Sequence, residues 1–301
     1  ASSAAPLLGL KPGMRVLDLC AAPGGKSSQL AAALQGQGLL VSNEYVAARA
    51  EILKSNLERM GVSNAVVLNE TPARIAAALP EFFDRVLVDA PCSGEGMFRK
   101  EPAALAQHCE ALVKQCAELG ADILDSAAAA LAPGGELVYS TCTFAPEEDE
   151  GQVAAFLQRH PEFTLTDVLG NVDYPFGSEG EANRTGGLPL DVSKVRRLPA
   201  STPPKSSSGW PLPPKQAKRP RAANHRRLQS LRMPAAPGAR TAGLAERLCR
   251  AAVPAAGTLG QGMHRPPRAS LHGGNLRRNI SRSWQSALPW CMAAAFCCRH
   301  A

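Results

Sequence analysis

Residues 1–170 alternate between short apolar runs and longer segments with helical spacing, and this alternation limits the fold more than any other feature. The runs predicted as strands are 15–20, 39–43, 64–69, 85–89 and 136–142. The segments predicted as helices are 26–34, 46–60, 72–79, 102–131 and 146–159. Strands that are apolar throughout and separated by helices are typical of parallel sheets covered on both faces. We therefore predict a doubly wound, Rossmann-like α/β domain.

Charge divides the chain near residue 197. Residues 1–197 hold 16 of the 33 Lys and Arg and 25 of the 26 Asp and Glu, a net charge of −9. Residues 198–301 hold 17 basic residues and one acid, a net charge of +16, together with 13 of the 25 prolines. Such a segment does not bury enough apolar surface to offset its chain entropy. We predict a folded domain at 1–197 and a disordered basic tail at 198–301, in which a short helix is expected only near 243–252.

Two interpretations of this tail stay open. A polybasic arm draws a protein onto RNA by releasing the counterions of the phosphates. Alternatively, the tail has no selected role, because the composition changes at Leu198 as abruptly as at the junction left by a shift of reading frame. Composition alone does not separate the two.

The nine cysteines favour free thiols over a metal site or a disulfide framework. None forms a C-x-x-C pair, and the adjacent Cys297 and Cys298 are poorly spaced as zinc ligands, so no metal is expected. The odd count and the lack of a hydrophobic signal segment favour a reducing, cytoplasmic setting. The chain contains no apolar run of about 18 residues, so no membrane span is expected. The oligomeric state is left open.

Two of these cysteines lie at or just beyond the carboxyl ends of predicted strands. Cys92 lies in Asp-Ala-Pro-Cys-Ser-Gly-Glu-Gly at 89–96, and Cys142 lies in Tyr-Ser-Thr-Cys-Thr at 139–143. Ligands of an open parallel sheet gather just past the carboxyl ends of its strands. Free cysteine often only fills core space, and we give that role by default to the other seven: Cys20, Cys109, Cys116, Cys249, Cys291, Cys297 and Cys298. At Cys92 and Cys142 the flanking residues favour covalent chemistry.

The loop after the first strand indicates the ligand. Cys-Ala-Ala-Pro-Gly-Gly-Lys at 20–26 places two glycines where strand turns into helix, so a ligand can approach the backbone closely. The spacing matches neither the G-x-G-x-x-G fingerprint nor a P-loop. Glu44 follows the second strand and is suited to bind the hydroxyls of a ribose. The pattern favours a nucleoside-like cofactor such as S-adenosylmethionine, with a purely structural turn as the alternative.

Together, Asp-Leu-Cys-Ala-Ala-Pro-Gly-Gly-Lys-Ser at 18–27 and the two cysteine motifs resemble the Sun-type family of RNA cytosine-5 methyltransferases. The longer run Gly-Glu-Gly-Met-Phe-Arg-Lys at 94–100 is similar to the bacterial RsmF-like branch, which modifies 16S rRNA. The resemblance extends over about residues 13–166. It implies an S-adenosylmethionine-dependent methyltransferase domain at 1–197 that acts on RNA, specifically rRNA.

The resemblance also implies roles for single residues. The segment that would wrap the methionine part of the cofactor is Cys20, Ala21, Ala22, Pro23, Gly24, Gly25 and Lys26. Glu44 would bind the ribose, and Asp89 would lie beside both the cofactor and the target base. Cys142 matches the nucleophile, whose addition at carbon 6 makes carbon 5 of cytosine able to attack a methyl group. Cys92 matches the cysteine that helps release the product. The base has to leave its stack to be reached.

Departures from the family pattern set further expectations. Thr71 stands where the family often has an aspartate near the adenine, and Glu70 is a candidate substitute. The small RNA-binding subdomain upstream of the first strand and a C-terminal RNA-binding domain are both expected to be absent. Nothing in the tail resembles the Gly-Glu-Gly-Phe/His-Phe strand that follows Arg196 and Arg197 in the family. We therefore expect the sheet to lack an ordered closing strand.

The resulting functional prediction is transfer of a methyl group from S-adenosylmethionine to carbon 5 of cytosine in RNA. The alternative is a truncated, non-catalytic remnant that binds cofactor or RNA. Methylation of an exocyclic nitrogen is less favoured, because such enzymes use [Asp/Asn]-Pro-Pro-aromatic where this chain has Asp-Ala-Pro-Cys at 89–92. DNA is less favoured as substrate, because by resemblance the Thr-Cys motif belongs to the RNA group.

Overall fold

The computed structural model describes residues 4–98, 101–166, 178–197, 230–231 and 294–300 of the 301-residue chain. Its centre is a parallel sheet of five strands. These strands are β1 (Arg15–Asp18), β2 (Leu39–Asn43), β3 (Ala65–Leu68), β4 (Phe83–Asp89) and β5 (Leu131–Thr141). Their order is β3-β2-β1-β4-β5. The order reverses between β1 and β4, which is where open α/β sheets bind ligands.

Seven helices accompany the sheet in the described residues. They are α1 (Ala4–Leu7), α2 (Gly25–Leu34), α3 (Ala47–Arg59), α4 (Pro72–Ala78), α5 (Pro102–Gln107), α6 (Glu110–Ala130) and α7 (Glu150–Arg159). Successive strand residues point to opposite faces. Val16 therefore packs with Leu30 of α2 on one face, and Leu17 packs with Leu124 of α6 on the other. The predicted doubly wound α/β architecture is confirmed.

In the described ranges, no helix has both the length and the hydropathy that a membrane span needs.

Two predicted helices have different limits in the structure. The stretch 102–131 is two helices, because His108 and Cys109 adopt extended backbone angles between α5 and α6. The helix predicted from residue 146 begins only at Glu150. The acidic residues before it bind other segments instead: Glu148 accepts a hydrogen bond from the Ser93 N–H, and Asp149 accepts one from the Thr141 hydroxyl.

The sheet extends beyond β5 by strands that the sequence did not reveal. They are β6 (Phe163–Thr166), β7 (Ser178–Glu179), β8 (Arg196–Arg197) and β10 (Ala294–His300), while β9 (Ser230–Leu231) joins β3 at the other edge. β10 lies between β5 and β6 and is antiparallel to both.

The expectation that the sheet lacks an ordered closing strand is therefore wrong at residues 294–300. The physical reason is that β5 would otherwise present an open row of backbone donors and acceptors. The apolar run Ala-Ala-Phe-Cys-Cys supplies partners for that row and buries Cys298 to 1% exposure. The helix expected at 243–252 and the disorder expected over most of the tail lie outside the described residues.

Candidate active site

The two cysteines singled out in the sequence meet at the carboxyl edge of the sheet. β4 and β5 are neighbours, with Asp89 opposite Ser140, so the loops that follow them leave the sheet side by side. The Cys92 Sγ lies 3.0 Å from the Cys142 Sγ. The backbone N–H of Cys142 also donates to the Cys92 sulfur, over 3.3 Å. Both residues are half-buried, so the thiols lie in contact with each other without being sealed in the core.

Glu148 and Ser93 fasten the loop of Cys92. The backbone N–H of Ser93 donates to the Glu148 Oε2 over 2.8 Å, and the Ser93 and Thr143 hydroxyls are 2.9 Å apart. Glu148 is itself 1% exposed, and its carbonyl accepts a hydrogen bond from the Tyr139 hydroxyl at 2.7 Å. Burial raises the pKa of the Glu148 carboxyl. The cysteine loop is therefore tied to β5 through a buried carboxyl group.

A second set of bonds holds the loop of Cys142. The Gly96 N–H donates to the Cys142 carbonyl, and the Phe144 N–H donates to the Glu95 Oε2, both over 2.8 Å. Arg184 donates to the Phe144 carbonyl from the far side. Each loop thus restrains the other, and the distance between the two sulfurs is set by several bonds.

The pKa values of the two thiols are shifted in opposite directions. The hydrogen bond with Cys92 lowers the pKa of the Cys142 thiol. Burial and the Asp89 carboxylate act against this shift, and the Lys26 ammonium acts with it. The same hydrogen bond, together with burial, raises the pKa of Cys92. A thiolate is the reactive form of cysteine. Of the two, Cys142 is the thiol whose deprotonated form is favoured, and Cys92 is the thiol whose protonated form is favoured.

Asp89 is held in one orientation beside the thiols. Its Oδ2 forms an ion pair with the Lys26 Nζ at 2.5 Å, and its Oδ1 accepts a hydrogen bond from the Ser140 hydroxyl at 2.8 Å. The Asp89 side chain is 30% exposed. A carboxylate fixed on both oxygens yet still accessible is suited to bind a polar ligand in a defined direction.

The turn after β1 leaves space for a ligand next to its backbone. Gly24 has φ +107°, and a side chain there would come 3.1 Å from the Leu53 Cδ1. At Gly25, by contrast, an added Cβ would have no heavy atom within 4 Å. The backbone at Gly25 therefore faces open space at the first turn of α2, as the cradle of a cofactor requires.

Glu44 borders this turn on the side opposite Asp89. Its side chain is almost buried, with Oε1 accepting the Val46 N–H at 2.9 Å and Oε2 lying 3.4 Å from an Arg49 guanidinium nitrogen. Because β2 and β4 flank β1 in the sheet, the two carboxylates enclose the glycine turn from both sides. The donor set fits a nucleoside-like cofactor: a close backbone approach, a carboxylate for hydroxyls, and a second carboxylate toward the thiols.

Thr71 and Glu70 have partners within the protein. The Thr71 hydroxyl caps α4 by accepting the Arg74 N–H at 3.3 Å, and the Glu70 carboxylate pairs with the Arg74 guanidinium at 2.7 Å. Threonine at this position thus has a structural use as a helix cap. The suggested role of Glu70 toward an adenine stays a prediction.

Sequence reasoning missed Asp18, the last residue of β1. Asp18 is fully buried, and its Oδ2 accepts the Ser27 hydroxyl at 2.6 Å, which fastens β1 to α2 directly beneath the glycine turn. Burial raises the pKa of this carboxyl from 3.8 to about 7. The available signal was an acidic residue inside an otherwise apolar strand. No cluster of three or more potential metal ligands occurs in the described part of the chain.

Comparison with known proteins identifies the family. Residues 5–193 match the family described as 16S rRNA methyltransferase RsmB/F. Ribosomal RNA small subunit methyltransferase F of Cronobacter sakazakii is 46% identical over 148 residues, covering 49% of this chain and 31% of that protein. The protein of the same name from Erwinia tasmaniensis is 37% identical over 224 residues, covering 70% of this chain and 46% of that protein. The chain thus spans less than half the length of these relatives.

Two solved structures support the fold. A methyltransferase homologue from Pyrococcus horikoshii is 30% identical with a TM-score of 0.56, covering 66% of this chain and 61% of that one. The structure described as NSun6 from Pyrococcus horikoshii with SFG is 25% identical with a TM-score of 0.54, covering 66% of this chain and 48% of that one. Both likenesses confirm the expected methyltransferase fold. With a family match over more than half of its residues, the chain belongs to the RsmB/F family of 16S rRNA methyltransferases.

Proposed function

We propose that this chain transfers a methyl group from S-adenosylmethionine to carbon 5 of a cytosine in RNA, specifically rRNA, with Cys142 as the nucleophile. The observation that carries the proposal is the pair of thiols in contact at the ligand edge of the sheet, with the two sulfurs 3.0 Å apart. Membership of the RsmB/F family supports rRNA as the substrate. The names of the relatives support it as well, although the chain spans only part of them.

The cofactor would lie along the turn after β1. The residues that would hold its methionine part are Cys20, Ala21, Ala22, Pro23, Gly24, Gly25 and Lys26. Glu44 would bind the ribose hydroxyls with a carboxylate that the Val46 N–H already orients. When bound, S-adenosylmethionine supplies an electrophilic methyl group. The open space at Gly25 supports this placement, because a ligand there meets backbone and no side chain.

Cys142 is required because carbon 5 of an aromatic cytosine is a poor nucleophile. Bonding of a thiolate to carbon 6 gives the ring enamine character and makes carbon 5 reactive. The hydrogen bond from Cys92 and the charge of Lys26 lower the pKa of Cys142 and so raise the fraction of thiolate near neutral pH. These two neighbours prepare the attack.

Asp89 would orient the base. Its carboxylate can accept a hydrogen bond from the N4 amino group of cytosine, and its protonated form can donate one to N3, where charge develops as the ring is attacked. Lys26 and Ser140 hold the two carboxylate oxygens, so the group needs little reorganisation when the base arrives. This constraint favours one pose of the ring over the thiols.

Cys92 would act after Cys142 has bonded to the base. The negative charge of Cys142 is one of the causes that raise the pKa of Cys92. Bond formation to carbon 6 removes that charge and the hydrogen bond, so the pKa of Cys92 falls and its ionisation becomes easier, although burial still acts against it. A Cys92 thiolate can take the proton from carbon 5, after which the bond between Cys142 and carbon 6 breaks. The order of events follows from the electrostatics of the pair.

The test is incubation of the chain with radiolabelled S-adenosylmethionine and rRNA that lacks the modification. We expect the wild-type chain to place the label in 5-methylcytosine. Cys142→Ala should transfer no label, and Cys92→Ala should form an adduct with RNA that resists denaturation. Cys109→Ala is the matched control, because Cys109 is exposed and lies outside the site. Transfer by Cys142→Ala without any adduct for Cys92→Ala would refute the roles. Cofactor binding without transfer in every RNA tested would favour the non-catalytic alternative.

A further inference from the structure

We propose that Cys92 and Cys142 also form a site of oxidative modification, at which an oxidant of the peroxide class converts the two thiols to an intramolecular disulfide. The proposal concerns the protein's own sulfur chemistry. It depends on the arrangement of the two loops and holds whether or not the chain transfers methyl groups.

The arrangement of the sulfurs carries the inference. A disulfide needs its sulfurs about 2.05 Å apart, and here they already lie at 3.0 Å. An approach of about 1 Å is within reach of side-chain rotation, so the backbone need not move far. The hydrogen bond between the Ser93 and Thr143 hydroxyls and the one that the Phe144 N–H donates to Glu95 keep the two loops together while the sulfurs move.

Reactivity and access both favour this pair. Oxidation by peroxide begins at a thiolate that solvent can reach and is completed by a nearby resolving thiol. Cys142 and Cys92 are half-buried, so a small oxidant can enter. The pKa of the Cys142 thiol is lowered, whereas burial raises the pKa values of Cys20 and Cys116. The first oxidation should therefore fall on Cys142, with Cys92 in place to resolve it.

The oxidation takes place in two steps. The Cys142 thiolate attacks one oxygen of hydrogen peroxide, the O–O bond breaks, and the products are Cys142 sulfenic acid and hydroxide. The Cys92 sulfur then attacks the Cys142 sulfur, the S–O bond breaks, and the hydroxyl leaves as water with the Cys92 proton. Both sulfurs are oxidised and peroxide is reduced to water. A dithiol reverses the change by exchange.

The disulfide would block the proposed reaction and would protect Cys142 from further oxidation. It consumes the sulfur that the proposed reaction needs, and it also prevents Cys142 from passing to the irreversible sulfinic and sulfonic acids. Bonds on both sides of the pair hold the loops, so reduction returns the same geometry. The expected behaviour is reversible inactivation.

The experiment uses the full chain, treated with hydrogen peroxide, alkylated with iodoacetamide, digested and examined by mass spectrometry. We expect a cross-linked pair of peptides containing residues 92 and 142, and loss of two thiols that dithiothreitol restores. With Cys92→Ser we expect no cross-link and sulfinic acid at Cys142. Cys109→Ser is the control, because an exposed cysteine outside the pair should leave the cross-link unchanged.

Wild-type protein that accumulates sulfinic acid at Cys142 without the cross-link would overturn the proposal. So would cross-linking of Cys142 to a cysteine other than Cys92. The cross-link is measured on the protein itself, so absence of methyl transfer would leave this result standing. If methyl transfer is present, its loss with peroxide should follow the yield of the cross-link.

Discussion

Asparagine in place of Asp18 should change how the stability of the domain depends on pH. Asp18 is fully buried at the end of β1, and burial raises its pKa from 3.8 to about 7. The Ser27 hydroxyl donates to Oδ2, and an asparagine oxygen can accept that bond in the same way. The substitution therefore keeps the link between β1 and α2 and removes the ionisation.

The shift in the pKa of Asp18 determines the sign and the size of this pH dependence. The folded state binds the Asp18 proton more tightly than the unfolded state, so this group stabilises the fold fully below about pH 4. That contribution is lost as the pH rises to about 7. A carboxyl group whose pKa moves this far accounts for about 4 kcal/mol of the free energy of unfolding. In Asp18→Asn, the free energy of unfolding should not show this decrease as the pH rises.

Urea denaturation followed by circular dichroism between pH 5 and pH 8 would test the prediction. The difference in unfolding free energy between wild type and Asp18→Asn should move in favour of the variant as the pH rises to about 7, and it should level off above that pH, where Asp18 is ionised in both states. Asp84→Asn is the control, because it should change the pH dependence of stability in the opposite direction. Burial acts to raise the pKa of Asp84, but the hydrogen bonds from Arg15 outweigh burial and lower that pKa. Parallel curves for wild type and Asp18→Asn would refute the reasoning, because Asp18 would then titrate alike in both states.

Two further predictions concern the site. Gly25→Ala should leave the free energy of unfolding nearly unchanged yet weaken S-adenosylmethionine binding in calorimetry, because the new Cβ enters the open space of the turn. Gly24→Ala should instead destabilise the fold by about 1–2 kcal/mol in urea, owing to its positive φ. Glu148→Ala should cost about 1–3 kcal/mol by leaving the Ser93 N–H without its acceptor. Glu148→Gln should retain most of that stability, and equal losses in both variants would contradict the hydrogen-bond explanation.

The parallel core was predictable because its signals are local. Strands buried on both faces have to be apolar at successive residues, as in Val66 and Val67 of β3, and each is followed by a helix. The position of the two thiols followed from the same logic, since parallel strands deliver their loops to one edge. Sequence periodicity thus predicts that these two thiols lie at the same edge of the sheet.

Other contacts around the site join residues that are far apart in the sequence, and sequence periodicity does not reveal such pairs. Glu148 looked like part of a helix amino terminus, yet it binds Ser93, which lies far from it in sequence. The break at His108 accompanies contacts of its ring with Phe98 and Glu95. The strand 294–300 was hidden in a segment with a basic, Pro-rich average, because a short apolar run hardly changes the composition of the whole.

That strand has a consequence for how the domain assembles. The strands of the five-stranded parallel core pair across at most 69 residues of chain, from Val16 to Arg85. Ala294 meets Thr141 only by closing a loop of about 150 residues, at an entropic cost of about 4 kcal/mol. Contacts this distant in sequence form slowly. The five-stranded core, including both cysteine loops, should therefore order first. β6 and β8, which pair with β10, would join the sheet only when that strand arrives.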